Sequence, residues 1–122
     1  MKIVPNNIIP FRGFLAINLF GVLFIRKDAW ARKTEAQKAV TINHESIHTE
    51  QMKETLYIGF YLLYLFMWLV RLLTPPWDTA YEDISFEQEA YRNEKNLDYL
   101  KTRKPYNWLN YCFTSYRNSL NK

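Results

Sequence analysis

The chain has a single cysteine, Cys112, so no intrachain disulfide holds it together, and the composition suits a reducing compartment. Gly 3 and Pro 5 in 122 residues exclude a collagen-like or linker-like chain, and no segment recurs at a solenoid period. Acidic residues are absent from residues 101–122, which carry net +5; residues 1–40 also carry +5, whereas residues 41–100 carry −6. Basic flanks around an acidic middle suit an anionic membrane surface or a solvated exterior. A nucleic-acid groove wants one continuous basic face, so no nucleic-acid partner is expected.

Apolar side chains, by contrast, are abundant. They make up 48% of the chain and aromatics 17%, with Tyr 9, Phe 8 and Trp 4, which excludes a disordered segment and predicts a packed core. The length of 122 residues predicts one domain covering 1–122 and leaves no room for a two-domain enzyme.

Phe14 to Ile25 (FLAINLFGVLFI) is short, apolar and interrupted by Asn18 and Gly21, which predicts a strand pair or one bent strand. Lys2 and Ala29-Trp30-Ala31 give the outline of a secretory leader. Pro5, Pro10, Arg12 and Arg26-Lys27-Asp28, however, put breakers and charges where leaders avoid them. The expected location is cytoplasmic or peripherally membrane-associated. Arg26 to Ala39 reads as a connection or a short exposed helix. Thr41 to Leu73, with Thr41 or Asn43 as N-cap, reads as one helix or two abutting helices ending at Thr74-Pro75-Pro76. A second helix is predicted over Ile84–Thr102, started by Asp83 or Ser85, and a third over Tyr106–Asn118. The fold class is therefore mainly α (α+β), a helical core with a small N-terminal hairpin.

Both histidines of the chain lie in His44-Glu45-Ser46-Ile47-His48, an HExxH pattern on a predicted helix. With two His present, this arrangement arises by chance on the order of once per thousand chains. At about 100° per residue the two imidazoles lie about 40° apart, one turn apart on one face, so both can bind one tetrahedral Zn²⁺. Glu45 falls about 60° to the side of His48, beside the metal, where a carboxylate can act as general base on water. Gln51 and Thr55 continue the histidine face, as site-lining or as ordinary packing positions.

A catalytic zinc usually takes three protein ligands and keeps one open position. No third His exists, and Cys112 reads as a core residue, so the acids of Phe86-Glu87-Gln88-Glu89-Ala90-Tyr91-Arg92-Asn93-Glu94 are the candidates. On a helical wheel Glu87 sits inside the apolar stripe, Glu94 about 20° from it, and Glu89 about 160° away. A carboxylate in an apolar stripe needs a partner, and a metal provides one. Glu87 is the favoured ligand, with Glu94 and Glu89 as alternatives, and Glu89 reads by default as a solvated edge acid.

HExxH, an interval of roughly forty residues, then Glu on a following helix with Ala three residues later, resembles the gluzincin zinc metallopeptidases and, in size, their compact minigluzincin members. The resemblance covers residues 41 to 95. It implies a zincin-like domain, a zinc ion held by His44, His48 and Glu87, Glu45 as general base, and a peptide or protein substrate lying along the preceding strand. Many of these proteins carry Asp or Asn four residues after the glutamate, supporting a ligand histidine. Tyr91 stands there in this chain, and its phenol could support a ligand or, like Arg92, stabilise an oxyanion.

Leu56 to Val70 is free of charge for 15 residues, between the length of a core helix and the roughly 20 residues of a span. Tyr57, Tyr61, Tyr64 and Trp68 are spread along it rather than gathered at its ends, which favours a core helix or contact with a membrane surface. The reading that follows is a zinc-dependent hydrolase, most readily a peptidase. The alternative is a catalytically inactive, zinc-stabilised structural or interaction protein.

Overall fold

The computed structural model describes residues 1–10, 15–73 and 84–112. Among them, strands β1 (Lys2–Asn6), β2 (Ala16–Leu19) and β3 (Val22–Arg26) form a sheet of order β1-β3-β2. β1 runs parallel to β3, pairing Lys2 with Val22, and β2 runs antiparallel to it, pairing Ala16 with Ile25. The predicted strand pair is present. Its turn is Phe20-Gly21, both at positive φ (53° and 87°), the backbone that a two-residue hairpin connection requires. Pro5 is tolerated because β1 is an edge strand.

A short helix α1 (Lys27–Ala31) leads to α2 (Glu35–Glu54), which begins before the predicted Thr41. Thr34 accepts from the Gln37 amide at 3.1 Å, while the Gln37 side chain accepts from the Thr34 amide at 2.9 Å, a reciprocal cap that starts the helix earlier. Asn43 is therefore a mid-helix residue rather than an N-cap. α3 (Ile58–Leu72) leaves α2 at 107°. The break lies at Leu56 and Tyr57, both at positive φ (59° and 62°), and is closed by the Tyr57 amide donating to the Met52 carbonyl at 2.7 Å.

The predicted helix over Ile84–Thr102 is divided. α4 (Ser85–Asn93) and α5 (Tyr99–Thr102) flank an irregular stretch, and neither has a side-chain N-cap. The Asn43 amide explains the division: it donates to the carbonyls of Asn93, Glu94 and Asn96 at 3.3, 2.7 and 2.9 Å and captures the chain as α4 ends. In place of the predicted third helix, the described residues contain a 3₁₀ turn (Asn107–Tyr111). Thr74-Pro75-Pro76, Asp83 and the end of the predicted third helix fall outside the described residues.

The core packs Met52, Phe60, Ile84, Phe86 and Trp108, and Cys112 lies against it as predicted for a core cysteine. Phe60 stacks on Phe86 with centroids 4.6 Å apart, and Phe86 meets Trp108 edge-on at 4.8 Å. Asn18 ties the sheet to α2, its amide donating to the Glu45 carbonyl at 3.0 Å and to the Thr49 hydroxyl at 3.1 Å. Tyr61 ties it to α3, accepting from the Phe20 amide and donating to the Asn18 carbonyl. The hairpin, α2, α3 and α4 are thereby held around one point.

Candidate metal centre

That point is where His44, His48 and Glu87 meet. Helix geometry alone brings the imidazoles together, with their Nε2 atoms 3.2 Å apart and rings edge to face. α4 crosses α2 and adds Glu87, whose Oε1 lies 3.2 Å from His44 Nε2 and 2.7 Å from His48 Nε2. A tetrahedral ion with ligand bonds of about 2 Å separates its ligands by about 3.3 Å. Two of the three separations match that spacing, and the third is that of an imidazole–carboxylate hydrogen bond. Two imidazoles and one carboxylate are also a donor set that suits zinc. Among the described residues these three form the one group of such side chains gathered closely enough to hold an ion.

All three are buried, Glu87 to 3% exposure. Burial resists ionising Glu87, but the charge of His48 and hydrogen bonds from both imidazoles outweigh it and hold its carboxyl well below the usual range. Burial likewise opposes a charge on His44, yet hydrogen bonds to Glu87 and Glu94 raise its pKa to about 10. For His48 too, burial is outweighed, by the Glu87 carboxylate, and the shift is upward.

The ring nitrogens facing away from this point are also engaged. His44 Nδ1 lies 2.9 Å from Glu94 Oε2, and His48 Nδ1 lies 2.8 Å from Gln51 Oε1. A hydrogen on each Nδ1 leaves both Nε2 atoms free to bind a metal. Glu94 thus meets the outer nitrogen of His44 and stands apart from the point where His44, His48 and Glu87 converge. Tyr91 instead lays its ring edge-on against His44, centroids 4.8 Å apart, while Arg92 lies over the Tyr111 ring.

Glu89 departs from the predicted solvated acid. It is fully buried, because the segment after α4 folds back and sets Arg103 against it, with Arg103 Nε 2.7 Å from Glu89 Oε2. Thr55 caps α2 by donating its hydroxyl to the Gln51 carbonyl and stays out of the site.

An apolar cleft of about 520 Å³ opens beside His48 and Glu87. β2 contributes Ala16, Ile17 and Asn18, α3 contributes Tyr61, Tyr64 and Trp68, and Glu45, His48 and Glu87 form its polar end. Glu45 is half-buried, and its carboxylate makes no hydrogen bond or ion pair with a described residue. Tyr91 does not line the cleft. Tyr64 does, and its hydroxyl donates to Glu87 Oε2 at 2.9 Å. The sequence places Tyr64 only on a core or membrane-surface helix; the available signal is Tyr57, Tyr61 and Tyr64 at helical spacing, since buried phenols seek acceptors. No family model, curated protein or solved structure matches the chain.

Proposed function

We propose that the chain is a small zinc-dependent hydrolase, most readily a gluzincin-like peptidase, with His44, His48 and Glu87 as metal ligands and Glu45 as general base. The observation that carries this reading is the place of Glu45. A site that serves only to hold the fold together needs ligands and no more. Here an unengaged carboxylate faces the same cleft as two of the ligands. Zinc, when bound, supplies Lewis acidity, acidifying water and polarising a carbonyl. Glu45 takes the proton of the attacking water and returns it to the leaving nitrogen. Tyr64 holds the second oxygen of Glu87, and Glu94 and Gln51 hold the outer nitrogens of the histidines. β2 is the edge strand on the cleft side, so its outer backbone groups can pair with an extended substrate while Trp68 and Tyr61 take apolar side chains.

Elemental mass spectrometry of the purified protein tests the metal, with His48→Ala and Glu87→Gln alongside. A peptide-library digest with Glu45→Gln as control tests the chemistry. Zinc lost in both ligand variants, with cleavage lost in Glu45→Gln while its zinc is retained, is the result expected. Zinc bound without cleavage of any peptide would favour the zinc-stabilised structural protein, and no zinc after adding it back would sink both readings.

α3 supports a further element of this reading, contact with a membrane surface. Ile58, Leu62 and Phe66 on its outer side are 64–66% exposed, and no charge interrupts Ile58–Val70. At 15 residues α3 is about 22 Å long, and no single helix among the described residues is long and apolar enough to cross a membrane. Flotation with anionic vesicles, compared with Leu62→Ser/Phe66→Ser, tests it: equal flotation of both would exclude α3 as the contact.

A further inference from the structure

Behind the three ligand atoms lies a buried polar cluster with no part in the chemistry above. Its centre is Glu89, 0% exposed and surrounded by donors. Arg103 reaches both carboxylate oxygens, at 2.7 and 3.1 Å, and the Tyr99 hydroxyl donates to Oε2 at 2.6 Å. Arg103 is held in turn by Glu54, with Nη1 and Nη2 at 3.0 and 2.9 Å from its two oxygens. An ionised carboxylate only accepts.

Gln51, also 0% exposed, connects this cluster to the ligand site. Its Nε2 lies 2.9 Å from Glu89 Oε1 and 3.0 Å from the Phe86 carbonyl, both obligate acceptors. Turning the amide over would set its oxygen against both of them, so the hydrogen-bond network admits one orientation. That orientation leaves Oε1 facing His48 Nδ1 at 2.8 Å. An amide oxygen cannot donate, so the hydrogen between them belongs to Nδ1. His48 then has Nε2 as its one metal-binding nitrogen, at the meeting point of His44 Nε2 and Glu87 Oε1.

We infer that Arg103 and Glu89, acting through Gln51, form a positioning relay that sets the tautomer and ring orientation of His48 for a metal ion. The inference rests on the metal-centre reading and adds to it Arg103 and Glu89, two residues that touch neither ion nor substrate. A bland alternative is that the cluster only fastens the Tyr99–Tyr111 segment to α4. The two differ in what removing Gln51 does. A fastening built on Glu54, Arg103, Glu89 and Tyr99 survives without Gln51, whereas a relay does not.

The test is zinc affinity by chelator competition for the wild type, Gln51→Leu, Arg103→Lys and their double variant, with thermal melts in EDTA as the measure of folding. Wild type bound to zinc, with Gln51→Leu weakened about 10–100-fold, is the result expected for loss of a group that orients a ligand. Arg103→Lys keeps the charge but cannot serve both carboxylates. It should weaken zinc binding in the wild-type background and have no further effect in the Gln51→Leu background. Long-range ¹H–¹⁵N correlations of the zinc-loaded protein should show His48 protonated at Nδ1 in the wild type. Zinc bound equally by wild type and Gln51→Leu, or additive losses in the double variant, would overturn the relay and leave the metal centre standing. No zinc on the wild type would remove the metal-centre reading and the relay with it.

Discussion

Asn43→Leu removes a residue that acts on the fold and the ligand site together. The Asn43 amide serves the carbonyls of Asn93, Glu94 and Asn96, and the side chain is buried among them. Leucine matches its size but donates nothing. Asn96 is exposed and Asn93 and Glu94 are half-buried, so the stranded carbonyls regain water in part. The loss is then nearer the net value of two hydrogen bonds, about 2 kcal/mol, than the full cost of three unsatisfied groups. For a domain of this length, roughly 3–5 °C per kcal/mol puts the fall in Tm at about 8 °C. The same change frees the end of α4, which carries Glu94 against His44 Nδ1. Loss of that support should weaken zinc binding about 10-fold. Thermal melts by circular dichroism and chelator competition read the two effects, with Lys101→Ala, which breaks an exposed pair with Asp98, as control. A Tm within about 2 °C of wild type together with unchanged zinc affinity would refute the role given to Asn43.

Glu87→Gln keeps the shape of a ligand and removes its charge; a four-ligand structural zinc site gains about 10–16 kcal/mol, about 2.5–4 kcal/mol per ligand, so zinc should bind on the order of a hundredfold more weakly in competition titrations. Gly21→Ala places a side chain at φ +87° with its Cβ 3.4 Å from the Thr49 methyl, and should cost about 1–2 kcal/mol in urea unfolding without altering metal content. Glu89, although its burial alone would raise its pKa, is held below the ordinary carboxylate value by Arg103, Gln51 and Tyr99. Its contribution to stability is therefore complete above the unfolded carboxylate pKa and disappears as pH falls through the depressed folded value. In EDTA, the urea midpoint of wild type should exceed that of Glu89→Gln at pH 7, and the gap should close in that acid range; a gap independent of pH would contradict the ion pair.

Much of the His44, His48 and Glu87 cluster was legible because it is local. The His44–His48 spacing states a helical geometry that needs no other element, and the structure sets their Nε2 atoms 3.2 Å apart. Glu87 could be picked out because a carboxylate inside an apolar stripe carries an energetic cost that only a partner removes. The hairpin was legible from an apolar run interrupted at Gly21. Glu89 was misjudged because a helical wheel gives directions around its own axis and does not reveal what is packed there. α4 is buried all along Ser85–Ala90, so Glu89, on the far side of the stripe, is as enclosed as Glu87.

The sequence by itself determined the local parts: a helix carrying two imidazoles one turn apart, a carboxylate beside them, an apolar hairpin, and a helix free of charge from Ile58 to Val70. Only the tertiary structure decided which groups hold those parts in place. Glu94 reaches His44 across 50 positions, Arg103 reaches Glu54 across 49, and Asn43 reaches three carbonyls more than 49 positions away. Such pairings are set by how α4 crosses α2 and how the chain returns over it. Packing of Met52 on α2 with Phe60, Phe86 and Trp108 fixes that crossing, and no periodicity along the chain encodes it.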